Sequence, residues 1–282
     1  MSEVFEMDFC NYEESIAKIL EKIEPKIGKT KVVIKPNLTT NLLPPVTTDV
    51  RCVREIIRNL REVFDEKIII AEGSGGCDTL DAFRDLGYEK LSKEYGIEII
   101  DLNRAERIEL RKNEAMKLKS ILFPKVLLDS YLINVPVPKE HSSAIITCAL
   151  KNMFGAYLPK EFLVKWNESK LRKIGVIVAK DIFAKGWSKA NLHVLGVDES
   201  IYDLNLYKKP DLIICDARIG QRGEEIYGKP CKPPLNKIIA SSDPVACDSY
   251  VANLFGYSWK EIRYLRYCNE KLGEVDFEVV RI

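Results

Sequence analysis

Five apolar runs in this sequence end in polar side chains capable of chemistry. Val32-Val33-Ile34 runs into Lys35-Pro36-Asn37, and Ile68-Ile69-Ile70-Ala71 into Glu72-Gly73-Ser74-Gly75-Gly76. The run from Tyr131 leads to Lys139-Glu140-His141-Ser142-Ser143, Leu212-Ile213-Ile214-Cys215 to Asp216, and Ile238-Ile239-Ala240 to Ser241-Ser242-Asp243. Lys35 precedes a proline that fixes the backbone. It could neutralise an anionic substrate or, desolvated, act as a base; an isolated lysine there would snorkel to solvent. The glycine-rich segment from Gly73 can turn backbone N–H groups toward an anion, yet it matches neither nucleotide fingerprint and equally suits a tight turn. His141, at a strand-to-helix junction, is placed as an acid, base or metal ligand. Lys151 and Asn152 follow across the next helix, where a cation also caps a helix C-terminus. Asp243 before Pro244 has an ordinary reading as an N-cap. Singly, each residue has a structural explanation. Together they concentrate polar groups where strands end, which a purely structural protein does not need.

Metal is the weaker option. His141 and His193 are the only imidazoles, and a transition-metal site needs about three or four ligands. With no H-x-x-x-H spacing, no stoichiometric zinc or nickel is expected; if metal binds, His141 and His193 are its ligands, with Glu72, Asp216 or Asp243 completing the shell. The eight cysteines form no C-x-x-C pair and no tight cluster, so no iron–sulfur cluster is expected and most read as buried free thiols.

These residues need a frame to hold them. Amphipathic helical stretches, over 13–24, from Asp49 or Thr48 to about Val63, and from Leu80, alternate with apolar strands at 31–37, 67–73 and 97–103. Such alternation predicts right-handed crossovers and an α/β fold with a mostly parallel sheet and helices on both faces. Residues 107–128 read as a strand excursion and a short helix. The second half has a strand from Tyr131, a helix from about Ser143 to Met153, helical material to Leu171, an apolar GVIVAKDIF segment, and a helix near Asp198 to Tyr207. Strands beginning near 211 and 235 follow, then a helix opened by Pro244. The strands are expected to end on one side. The whole chain, 1–282, reads as one domain, with 1–130 and 131–282 as conceivable lobes. In such sheets ligands sit beyond the strand carboxyl ends.

The 43 basic and 42 acidic residues nearly cancel, giving no electrostatic case for nucleic acid or an anionic membrane as partner. The N-terminus lacks a signal-peptide pattern and no stretch reaches membrane-span length, so a cytoplasmic location is expected. Composition leaves the oligomeric state open. A single glutamine, Gln221, beside 30% charged residues leans toward a thermophile-like composition; the many asparagines pull against it.

The segments VVIKPNL and AEGSGG, the stretch from Val135-Pro136 through Lys139 and His141 to LKNMFG at Leu150–Gly155, the Pro210-Asp211-Leu212 to Asp216 strand, and ASSDPVACD resemble the domain of unknown function 362 family, in family order, over about residues 30–258. Many members carry a ferredoxin-like pair of cysteine clusters; this sequence has no such domain, so iron–sulfur chemistry does not transfer. Members more often show Lys-Thr-His where Lys139-Glu140-His141 stands. The spacing of His141 and Lys151 is also similar to that of nickel-dependent lactate racemase-type proteins, in which the lysine carries a nickel-pincer cofactor and histidines are acid–base groups; the surrounding glycine-rich context is missing. The reading adopted is an enzyme acting on a small anionic metabolite. Lys35 or Lys151 would hold the anion, Asn37 and Asn152 orient it, and His141 move a proton, with Glu72, Gly73 and Ser74 nearby. The alternatives are a non-catalytic ligand-binding or redox-accessory protein, and a nickel-pincer racemase-like isomerase.

Overall fold

The computed structural model describes residues 1–29, 31–158 and 189–282. The helical material expected up to Leu171 and the GVIVAKDIF segment lie outside the described residues.

Strand β1 (Ser2–Asp8) leads to helix α1 (Tyr12–Ile23), capped by Asn11, whose side chain accepts the Glu14 N–H at 2.9 Å. Strand β2 (Lys31–Pro36) and helix α2 (Val50–Val63, capped by Asp49) come next. Strand β3 (Lys67–Glu72), helices α3 (Thr79–Asp85) and α4 (Tyr88–Tyr95) and strand β4 (Glu98–Asp101) follow. The hairpin β5 (Arg107–Arg111) and β6 (Ser120–Pro124), then helix α5 (Lys125–Leu128), realise the predicted excursion and short helix. Strands β7 (Tyr131–Val135), β8 (Lys139–His141) and β9 (Ile145–Thr147) precede the single turn α6 (Ala149–Asn152), which runs into a 3₁₀ turn over Met153–Ala156. The remaining elements are α7 (Ala190–Leu195), α8 (Val197–Tyr207), β10 (Leu212–Ala217), β11 (Gln221–Arg222), β12 (Lys229–Pro230), β13 (Lys237–Ser241), α9 (Pro244–Phe255), α10 (Arg263–Cys268) and β14 (Phe277–Arg281).

One eight-stranded sheet, ordered β14-β1-β13-β10-β7-β2-β3-β4, joins strands from both halves of the chain. Strand β7 pairs in parallel with β2 on one side and β10 on the other. Strand β13 alone is reversed, antiparallel to both β10 and β1. A small second sheet, β12-β11-β8-β9, stands beside it.

Side chains alternate across each strand, so both faces are apolar. Val32, Ile34, Ile68, Ile70, Ile133, Val135 and Ile214 pack against α1 to α4. Val33, Ile69, Leu132, Ile213, Cys215 and Ile239 pack against β6, α8, α9 and α10. Burial of one such aliphatic side chain contributes roughly 1.5–3 kcal/mol. Six of the eight cysteines lie in this buried set. Among the described residues no helix is long and apolar enough to cross a membrane.

Three expectations change. Strands β1 and β14 were not foreseen, because their runs are short and rich in acids; in β1, Val4, Phe5 and Met7 are nonetheless buried. The helix expected from Ser143 to Met153 is replaced by the β8–β9 hairpin and one turn of α6. The β-branched Ile145-Ile146-Thr147 pairs with Lys139-Glu140-His141, as suits the pleated surface. The third concerns strand β13, whose reversal carries Ser241-Ser242-Asp243 to the opposite end of the sheet from the other polar strand ends.

Candidate functional site

After β2 the chain builds β3 and β4 on one side, then returns to place β7 and β10 on the other. Neighbouring crossovers therefore diverge at the β2/β7 boundary, opening a crevice beyond the strand carboxyl ends. A cavity of roughly 230 Å³ lies there, lined by Asn37, Glu72, Gly73, Thr147, Lys151, Asn152, Gly155, Lys189, His193 and Glu225, among others.

Its floor is an ion pair. Lys35, wholly buried at the end of β2, donates to both oxygens of Glu72 at the end of β3, at 2.8 and 2.9 Å. The Gly73 and Leu38 N–H groups donate to the same carboxylate at 2.7 and 3.2 Å. Burial pulls the Lys35 ammonium below the ordinary lysine range, against the attraction of Glu72. Gly155 closes over this pair so tightly that a Cβ there would lie 2.0 Å from Glu72 Oε1 and 2.7 Å from Lys35 Nζ. That contact accounts for the glycine ending the LKNMFG segment. Gly155→Ala is expected to destabilise the fold by about 1–2 kcal/mol through overpacking, measured by denaturant unfolding, and an unchanged midpoint would deny the contact.

Behind the floor runs a chain of amides with every donor pointing the same way. Lys139 Nζ donates to Asn37 Oδ1 at 3.0 Å, Asn37 Nδ2 to Asn152 Oδ1 at 2.8 Å, Asn152 Nδ2 to Asn134 Oδ1 at 2.6 Å, and Asn134 Nδ2 to the Ala149 carbonyl at 2.7 Å. The lysine can only donate, so it fixes the orientation of each amide in turn. Asn37 and Asn152 are thus committed to one another, and of this pair Asn152 spends both N–H groups while the second N–H of Asn37 has no partner among the described residues.

The wall is formed by His141, Lys151 and Glu225. His141 Nδ1 accepts the Ser143 and Ala144 N–H groups at 3.0 and 3.1 Å. Two backbone donors require a lone pair, so the ring proton sits on Nε2, which faces Glu225 Oε1 at 3.6 Å. Lys151 Nζ donates 2.7 Å to the other oxygen of Glu225 and lies 5.0 Å above the Phe154 ring. Burial pushes the Glu225 carboxyl up, but Lys151, His141 and Lys139 outweigh it and hold it well below the usual carboxylate range. His193 stacks on His141, centroids 5.6 Å apart, on the solvent side. Burial, with Lys151 and His141 nearby, draws its imidazole below the ordinary value. Glu140 accepts from Arg222 Nη1 at 2.8 Å and the Gly223 N–H at 2.7 Å, anchoring the loop that carries Glu225.

These protonation states bear on the nickel-pincer alternative. His141 Nε2 carries the proton where a metal would need the lone pair, and Lys151 is held in an ion pair. The residues present do not fit that group.

Two further buried lysines, Lys189 in the cavity lining and Lys139 behind it, have no carboxylate partner among the described residues. Lys139 donates to Asn37 and to the Val46 carbonyl at 2.8 Å, and burial pulls it down to about 8, against Glu225. Lys189 donates to the Phe154 and Gly155 carbonyls at 3.2 and 2.7 Å, and burial pulls it to about 7, with Arg107 and Lys35 assisting against Glu72.

Two candidate residues fall elsewhere. Asp216 ends β10 on the same side but accepts from the Tyr12 hydroxyl at 2.9 Å, beside Arg218 and Asp49, outside the cavity lining. Asp243, at the far end, caps α9 by accepting the Val245 and Ala246 N–H groups at 2.8 and 3.2 Å, and also accepts from the Ser2 hydroxyl at 2.7 Å. Ser74 lies behind the wall, donating 2.6 Å to the Leu38 carbonyl. Lys139, Lys189 and Glu225 were not singled out as site residues from sequence. Lys139 was quoted within a polar strand end, and Lys189 and Glu225 stand in connections without a periodic signal.

The final aspartate of the ASSDPVACD segment has a positioning role. Asp248, buried in α9, accepts the Ala149 and Leu150 N–H groups at 2.7 and 3.2 Å and the Tyr264 hydroxyl at 3.1 Å. It thereby caps α6, the turn bearing Lys151 and Asn152. Burial pushes its carboxyl up to about 7. Its oxygens come within 4.8 Å of Cys148 and Cys247 sulfurs, but they already serve three donors. Burial and the Cys215 contact raise the Cys148 thiol well above its ordinary range, and the Cys148 contact with burial does the same for Cys247, so both sulfurs pack as neutral thiols.

The structure is similar to that of the lactate racemase apoprotein from Thermoanaerobacterium thermosaccharolyticum, at 15% identity and a TM-score of 0.40, over 85% of this chain and 54% of that one. This chain therefore spans about half the length of that protein. No curated protein matches the sequence. The model of the family described as Domain of unknown function (DUF362) matches residues 32–253, from β2 nearly to the end of α9, and the chain belongs to that family.

Proposed function

We propose that this protein is an enzyme that binds a small organic anion in the β2/β7 cavity and moves a proton on it with a lysine amine. One observation carries the reading. The buried lysines among the described residues are Lys35, Lys139, Lys151 and Lys189, and all four surround this cavity. Only Glu72 and Glu225 pair with them there. A buried ammonium without a counter-charge costs several kcal/mol, and perturbed lysines in a cleft mark functional sites. A carboxylate or phosphate of a bound ligand would supply the missing charge. In this reading the unpaired Lys139 leaves the cluster positive, and the anion is held by the spare N–H of Asn37 and by Lys151, which keeps N–H groups beyond the one given to Glu225. Lys189, poised near neutrality, takes or returns the proton. His141 cannot serve as the base through Nε2; its N–H there faces Glu225 at 3.6 Å and adds to the positive surroundings of that carboxylate.

The experiment is a thermal-shift titration with pyruvate, lactate, oxalate and inorganic phosphate, followed by exchange of carbon-bound hydrogen in D₂O read by mass spectrometry. At least one anion is expected to raise Tm, and Lys151→Met and Lys189→Met to weaken that rise tenfold or more. Deuterium incorporation separates an enzyme from a binding protein. A Tm unmoved by every anion, or variants that respond like the wild type, would sink the reading.

A further inference from the structure

Resting on that reading, we propose that the ligand is a small oxo acid and that Lys189 Nζ captures its carbonyl carbon as an imine. Lys151 and Lys189 are the two amines that line the cavity, and their surroundings divide the work. Lys151 is held in place by Glu225 at 2.7 Å and by the Phe154 ring face, a fixed donor suited to a carboxylate. Among the described residues Lys189 donates only to the carbonyls of Phe154 and Gly155. A neutral amine has two N–H groups and one lone pair. With both N–H groups spent on those carbonyls, the lone pair is directed away from them and left for an electrophile. Close packing fixes the amine as well, since a Cβ on Gly73 would lie 3.0 Å from Nζ. Burial draws this amine toward neutrality, with Arg107 and Lys35 assisting against Glu72, and desolvation of this kind is how a lysine is made nucleophilic at neutral pH. One fixed donor, one nucleophilic amine and a cavity of roughly 230 Å³ suit a ligand with one carboxylate, one carbonyl and few other atoms.

The step balances without an oxidant. Nζ attacks the carbonyl carbon to give a carbinolamine, the former carbonyl oxygen leaves as water with both nitrogen hydrogens, and a C=N bond remains. Protonated, that imine withdraws electrons from the adjacent carbon and acidifies its C–H bond. The proton movement of the proposed activity would follow from this. In the imine Lys189 acts by drawing electrons rather than as the base itself, and His193, on the cavity rim with its imidazole drawn below the ordinary value by burial, is placed to receive the proton.

The test is reductive trapping. The protein is incubated with glyoxylate or pyruvate and sodium cyanoborohydride, and the adduct is located by peptide mass spectrometry. The expected product is one modification per chain at residue 189, heavier by one oxo acid less one water plus two hydrogens. It should be lost in Lys189→Met and in Lys189→Arg, which keeps the cation, and suppressed by excess oxalate. Circular dichroism confirms that both variants are folded. If pyruvate raises Tm but label scatters over surface lysines without preference for residue 189, the imine is refuted and the anion-binding reading survives. If neither pyruvate nor glyoxylate shifts Tm or labels residue 189, the oxo-acid assignment falls, and the remaining anions of the titration decide the underlying reading.

Discussion

Glu72→Gln is expected to destabilise the protein by about 3–5 kcal/mol, the cost of leaving one charge of a buried pair uncompensated. Lys35 has no exposure and no other charged partner in hydrogen-bond reach among the described residues. The glutamine amide would also face one of the two backbone N–H groups that the carboxylate now accepts. Lys35→Met should cost a similar amount by orphaning Glu72. The double variant should be much less damaging than the sum of the two, because replacing both members of a buried pair removes the desolvation penalty with the attraction. Urea unfolding of the three variants completes the cycle. Additive losses would mean that the two groups do not act as a pair.

Lys139→Met should have the opposite sign, stabilising the protein by about 2–3 kcal/mol near pH 7. The folded ammonium titrates at about 8, below the roughly 10.4 of a lysine in the unfolded chain. Between those values the unfolded chain binds more protons, so wild-type stability rises with pH there. Below about pH 8 the wild type bears the full cost of a buried cation, and the methionine variant does not. Its advantage should therefore be largest at pH 6–7 and fade by about pH 10. A variant less stable than wild type across that range would show that the bonds to Asn37 and Val46 outweigh the buried charge. Stability sacrificed at an unpaired cation is the pattern of a site built for a ligand.

The sequence reveals β2, β3 and β7 and their polar ends because each is a short apolar run with a sharp stop, buried on both faces. It also reveals the caps at Asp49 and Asp243, where local side-chain chemistry is decisive. Strand direction is not local. Nothing within Lys237–Ser241 indicates that β13 pairs antiparallel with β10, and so Asp243 reads as a site residue until the pairing is known. The same limit hides Lys189 and Glu225, which reach the cavity from connections without periodicity. The role expected of His141 changes for a related reason. Its position is legible at a strand end, but its tautomer depends on the backbone of Ser143 and Ala144, which a helix there would have pointed elsewhere.

The amide chain behind the cavity also bears on how the protein ages. Asparagine deamidates when the following backbone nitrogen swings onto its side-chain carbonyl carbon, a reaction that needs a mobile side chain and water. Asn37, Asn134 and Asn152 are buried and tied to one another, so each would have to break its bonds to reach that geometry. Their presence in the composition therefore overstates the chemical fragility of the chain. Storage at elevated temperature should convert exposed asparagines to aspartate while these three remain intact.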